Sequence, residues 1–122
     1  MRFAFLGLPF FEAWHRELAR DLDAWARENL ADLHEETNVD AICRQLVKRL
    51  GEAGWLRYAV PAAYGGALEK IDSRSLCLIR QTLAWHSGLT DFAFAMQGLG
   101  SGAVGLHGAE SLGKRYLTRV AR

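Results

Sequence analysis

The stretch Thr90–Leu106, TDFAFAMQGLGSGAVGL, has no Lys, Arg or Glu, and Asp91 at its start is its one charged residue. An element apolar on nearly every side is expected to be buried on nearly every side. With Gln97 and Ser101 inside it, the stretch is too short and too mixed for a membrane span. Its neighbours are amphipathic, so the pattern predicts the central helix of a soluble bundle. Gly98, Gly100, Gly102 and Gly105 each weaken a helix by about 1 kcal/mol relative to Ala. Either another helix packs very close to them, or that face leaves room for a ligand.

The remaining pattern is helical too. Pro9 suits a first turn, and Phe11, Trp14, Leu18, Leu22 and Trp25 form one apolar stripe reaching to about Leu30. Glu12–Arg16 and Asp23–Arg27 read as i,i+4 pairs on the wet side. ADLHEETN breaks the period. Asn38 can cap a second helix, with Val39, Ile42, Cys43, Leu46, Val47 and Leu50 on its face, and Gly51 or Gly54 can end it in a left-handed cap.

Trp55–Ile71 is the longest non-periodic segment, with turns marked by Pro61 and Gly65-Gly66. It is either a functional loop or an ordered connection pinned by Trp55 and Tyr64. Asp72 can cap a third helix through about His86. Leu76, Ile79 and Leu83 lie on one face of it and Leu78 and Trp85 on another, so it is expected to be covered on two sides. Thr90 or Asp91 then caps the central helix, and Gly108 ends it. Leu112, Tyr116, Leu117 and Val120 define a last short helix. No strand is left over. The fold expected is an all-α bundle of five or six helices with short antiparallel connections, a single helical domain over residues 1–122.

Composition narrows the function classes. A net charge of +1 gives no electrostatic case for nucleic acid or an anionic membrane. Cys43 and Cys77 fit no metal or redox spacing and read as small buried hydrophobes in a reducing, cytoplasmic setting. In MRFAFLGLPFF, Glu12 follows too soon for a secretory signal.

The chemistry-bearing patterns are weak. Gly100-Ser-Gly102-Ala-Val-Gly105 matches G-x-G-x-x-G, but the second strand of a dinucleotide fold is missing. Ser101 lacks the strand and partners of a nucleophile elbow. His15, His34, His86 and His107 form no ligand set and read as surface or helix-end residues. The carboxylates of the first helix alternate with arginines, as on a solvated face. No catalytic residue and no metal ligand emerges.

Several stretches in order carry a resemblance: LGEAGWL, then P-A-A-Y-G-G (Pro61–Gly66), SGLTDFAFAMQGLGSGAVGLHG and AESLGKRYLTRVAR. Gly54-Trp55 leading to Tyr64-Gly65-Gly66, and Gly108 leading to Lys114-Arg115-Tyr116-Leu117, are the most telling pieces. From about Phe10 onward the chain resembles the N-terminal helical domain of the acyl-CoA dehydrogenases. The resemblance implies a flavoenzyme with helical, β-sheet and helical domains, and FAD held mainly between the second and third. A glutamate base, in the third domain in most members, removes the α-proton of an acyl-CoA, and hydride passes from the β-carbon to the flavin. The first domain supplies part of the acyl-chain wall. Ala95, Gly98, Leu99 and Gly102, at i, i+3, i+4 and i+7, make a small-residue stripe that fits this substrate-binding role; close helix packing without a ligand explains the stripe equally simply.

Two departures stand out. Ala63 occupies a place where the family often has an acid, and the chain stops at Arg122, where the family continues into its β-domain. The expectation is therefore a fragment that is inactive alone, missing its β and C-terminal domains. FAD is expected in the full-length enzyme but not in this chain alone, and self-association into a homo-oligomer is expected. The alternative is a stand-alone helical module that binds a hydrophobic ligand or a partner helix.

Overall fold

Four helices carry the fold: α1 (Ala13–Asn29), α2 (Val39–Glu52), α3 (Ser73–His86) and α4 (Gly88–His107). The structure, a computed structural model, describes residues 4–33 and 38–122. It is all-α, with no strand among the described residues beyond one isolated bridge between Pro61 and Leu68.

Each long helix starts where a side chain takes an orphan backbone N–H. Asn38 accepts from Ala41 N–H and Asp72 from Ser75 N–H, as expected. The other two starts differ. Ala4–Gly7 form a 3₁₀ turn, and α1 begins only after Glu12, whose N–H donates to His15 Nδ1 at 3.0 Å. Pro9 is therefore not in its first turn. Arg16 pairs with no acid there; its Nη1 donates to the carbonyls of Leu6 and Phe11, pinning the 3₁₀ turn to α1. The cap of α4 is Ser87, not Thr90 or Asp91. Its Oγ accepts from Thr90 N–H while its own N–H closes α3 on Leu83 O. One residue thus ends one helix and starts the next.

Two histidine–aspartate bonds align α1 with α3. His15 Nδ1 accepts from Glu12, so the tautomer inferred is Nε2–H, donating to Asp72 Oδ2 at 2.9 Å. His15 is fully buried, with Trp14 stacked on its ring, against the expectation of a surface residue. Toward the far ends, His86 Nε2 lies 2.7 Å from Asp23 Oδ1. Starts meet and ends meet, so α1 and α3 run in the same direction rather than as antiparallel neighbours. Asp23 does pair with Arg27, but not on a wet side: it is 3% exposed. His86 and His107 sit at helix ends, and His34 lies outside the described residues.

The core joins Leu18, Leu22 and Ala26 of α1, Leu46 and Leu50 of α2, Ile79 and Leu83 of α3, and Ala93 and Phe94 of α4. Helix α3 lies between α1 and α4, covered on two sides as expected, except that Trp85, placed on one of those faces, is 68% exposed, and α2 packs on α4. Helix α4 packs on α2, α3, the Trp55–Ala59 turn and the Gly113–Leu117 turn, as a central helix should, but the burial expected on nearly every side of it is not what the fold shows. Only Thr90, Ala93, Phe94 and Ser101 of α4 are buried, while Phe92 is 54% and Leu99 and Leu106 are each 73% exposed. Its apolar character exceeds what the other helices of this chain can cover.

Trp55–Ile71 is an ordered connection. It has 3₁₀ turns at Trp55–Ala59 and Ala62–Tyr64, with Gly54 and Gly65 at φ of 80° and 94°. Trp55 packs edge-on against Trp25 and stacks with Tyr58. The Tyr64 ring lies against Gly113, where an added Cβ would come within 2.4 Å of it. Gly113–Leu117 is a π-helical turn, between the short helical pieces Glu110–Leu112 and Thr118–Val120. The last helix expected is therefore one run with a π-helical turn in its middle. Cys43 is half-buried and Cys77 exposed, so neither is the core residue expected.

Burial works to raise the Asp72 carboxyl, but hydrogen bonds from His15, Ser75 N–H and Arg74 outweigh it and hold the group below the usual carboxylate range. A depressed folded-state value contributes stability that is present above the unfolded value, about 4, and is lost as pH falls through the folded one. Asp72→Asn should cost about 1–3 kcal/mol near neutrality, and urea midpoints of variant and wild type should converge below pH ~4. A gap that persists unchanged in acid would show that the Asp72 charge is not what stabilises this corner.

Candidate functional site

An apolar hollow of about 300 Å³ opens between α3, α4 and the Trp55–Ile71 connection. Phe94, Ala95, Met96, Gly98 and Leu99 of α4 line it, with Leu76 and Arg80 of α3, and Ala59 and Ile71 from the connection. Its size lies at the lower end for small-molecule sites. The structure brings three of the four stripe residues, Ala95, Gly98 and Leu99, to this hollow and leaves Gly102 outside it.

The glycines of α4 are not there for close packing within this chain. A Cβ on Gly98 would stand 3.9 Å from the Ala59 methyl, and one on Gly105 would stand 3.8 Å from Leu117, both ordinary contacts. At Gly100 and Gly102 it would meet nothing within 4 Å. Two further hollows flank the same helix. One, of about 430 Å³, lies against the C-terminal segment and is lined by Gly100, Ser101, Val104, Tyr116 and Leu117 among others. The other, of about 370 Å³, lies against α2 and includes Cys43, Val47 and Phe92. Met96 lines all three.

One charged side chain borders the first hollow. Arg80 donates from Nε to Asp91 Oδ1 at 2.9 Å and from Nη2 to Asp91 Oδ2 at 3.0 Å, a two-point fork. Asp91, expected at the helix cap, instead holds this guanidinium. Hydrogen bonding to Asp91 raises the Arg80 pKa above its ordinary value and keeps it charged. Sequence reading missed Arg80, Ile71 and Ala59. The available signal was the non-periodic Trp55–Ile71 segment, whose two ends supply Ala59 and Ile71.

The other sequence patterns gain no chemistry. Gly100–Gly105 lies inside α4, where its N–H groups belong to the helix and no strand precedes it. Ser101 Oγ is turned back on Gly98 O at 3.4 Å. Among the described residues no group of three or more His, Cys, Asp or Glu is placed to hold a metal ion. No described helix is long and apolar enough to cross a membrane.

The described residues form an all-α bundle with an apolar hollow open along one helix. The family model for the acyl-CoA dehydrogenase N-terminal domain matches residues 12–122, and the chain belongs to that family of FAD-dependent dehydrogenases. No curated protein matches the chain.

The open surroundings of Gly100 and Gly102 have a measurable consequence. Gly100→Ala and Gly102→Ala should each stabilise the chain by up to about 1 kcal/mol, because alanine restores helix propensity without a clash. Thermal unfolding of the two variants checks this; a loss of stability would mean that something packs on these positions after all.

Proposed function

We propose that this chain is the N-terminal domain of an FAD-dependent enzyme that oxidises the Cα–Cβ bond of acyl-CoA thioesters, and that it contributes one wall of the acyl-chain site. The observation that carries the reading is the apolar hollow at Ala95, Gly98 and Leu99, on the helix that the family resemblance assigns to the acyl chain. Gly102, one turn further along the same stripe and open to its surroundings, extends that wall. The bond to be oxidised is apolar and the chain that carries it is a hydrocarbon, so the wall that orients it need offer shape and little else.

The described residues do not fit a flavin site. The glycine-rich run of α4 spends its N–H groups within the helix and cannot cradle a pyrophosphate. The family resemblance assigns FAD and the catalytic base to β and C-terminal domains, and on that reading this chain by itself is inactive. The exposed apolar face of α4 is consistent with further partners, other domains or other subunits of a homo-oligomer. Both cysteines are free, which fits a reducing compartment such as the cytoplasm.

The isolated chain should purify colourless and leave acyl-CoA unoxidised; flavin absorbance in the purified chain would contradict the domain assignment. Saturable binding of octanoyl-CoA by the bare chain would favour a stand-alone binding module instead. In the flavin-loaded enzyme, Gly98→Leu should fill the hollow. Excluding two methylenes at about 0.8 kcal/mol each lowers kcat/KM for long acyl chains about tenfold, with butyryl-CoA little changed. An equal loss for short and long chains would remove Gly98 from the acyl wall.

A further inference from the structure

Arg80 is an unusual feature for a wall built to receive plain hydrocarbon. Every other side chain lining the hollow is apolar. A guanidinium has five N–H donors on two usable edges. Asp91 occupies the Nε–Nη2 edge, and Nη1 makes no contact with Asp91. The carboxylate that holds Arg80 is itself largely buried, its side chain 16% exposed. The fork therefore fixes the arginine in direction, and its remaining donors, on a side chain 55% exposed, are left to water. A methyl-ended chain placed against such a group would strip water from a cation and offer it no acceptor, which is unfavourable. A chain that ends in an acceptor would meet no such penalty, and a carboxylate matches the planar donor edge best.

Resting on the acyl-CoA reading above, we propose that Arg80 is a specificity-determining residue and that the preferred acyl group carries a carboxylate at its far end. The Nη1 side of Arg80 receives that carboxylate, while Asp91 holds the guanidinium from the opposite edge. The apolar residues Ala95, Gly98 and Leu99 line the methylenes between the end group and the thioester. No bond is made or broken at Arg80; its role is recognition alone.

The test compares hexanoyl-CoA with adipoyl-CoA, of equal carbon number and differing at the chain end. The readouts are kcat/KM in the flavin-loaded enzyme and the dissociation constants of the corresponding unreactive alkyl thioethers of CoA. A hydrogen-bonded charge pair predicts a preference of about tenfold or more for the carboxylate-ended compound in both readouts. Arg80→Met should abolish or reverse the ratio, and Arg80→Lys, which keeps the charge and loses the fork, should leave it intermediate. Should Arg80→Met lose helix content by circular dichroism, the Lys variant and the wild-type ratio still decide. A wild-type preference for hexanoyl-CoA, or a ratio that neither substitution changes, overturns the proposal. Failure of both thioesters to reduce the flavin, with neither analogue bound, would instead remove the acyl-CoA reading on which it rests.

Discussion

Two part-buried histidine–aspartate bonds set the frame on which everything else is hung. His15–Asp72 and His86–Asp23 bolt α1 to α3 at both ends, and both aspartates have a second duty. Asp72 caps α3, and Asp23 pairs with Arg27. Loss of Asp72 would leave the fully buried His15 without its acceptor, at a cost of about 1–3 kcal/mol. With α1 and α3 held in register, Ser87 reverses the chain in one residue and lays α4 back along α3. The position of α4, and so of its hollow, follows from that joint.

The same joint explains why the charged pair at the hollow is where it is. An immediate reversal at Ser87 brings Arg80, two turns before it, opposite Asp91, one turn after it. A longer loop would have left more freedom in how the two helices meet. The pair therefore costs little ordering beyond what the hairpin already imposes, unlike an isolated surface ion pair that must immobilise two long side chains. It stands beside the apolar hollow by geometry, and that makes the hollow chemically asymmetric.

What the sequence made legible was what is local. Asn38 and Asp72 were read as caps because the bond runs from a side chain to an N–H three residues on. Ala95, Gly98 and Leu99 fell on one face because helical spacing alone decides it. What stayed hidden depends on residues far apart or on unusual partners. Glu12 and His15 form a reciprocal start for α1 that uses an imidazole where an amide or carboxylate is the common choice. Arg16 could equally have met Glu12, and only the fold of the first residues sends it to Leu6 and Phe11 instead. Ala59 and Ile71 reach the hollow through a connection whose shape rests on Gly65, Gly66 and the packing of Tyr64 on Gly113. No periodicity records any of that.

The largest difference concerns α4, and its cause is instructive. Composition says what an element can tolerate, namely burial on every side; it does not say what will cover it. In this fold α2 and α3 cover the first half of α4, and the C-terminal segment touches the second half only lightly. Phe92, Leu99 and Leu106 remain exposed along the helix. The four glycines in the interior of α4 each give up about 1 kcal/mol of propensity, and the packing inside this chain returns none of it at Gly100 or Gly102. The two observations have one economical physical reading. This face of α4 stays open within the chain, with small residues along it and Arg80 at the edge of its hollow.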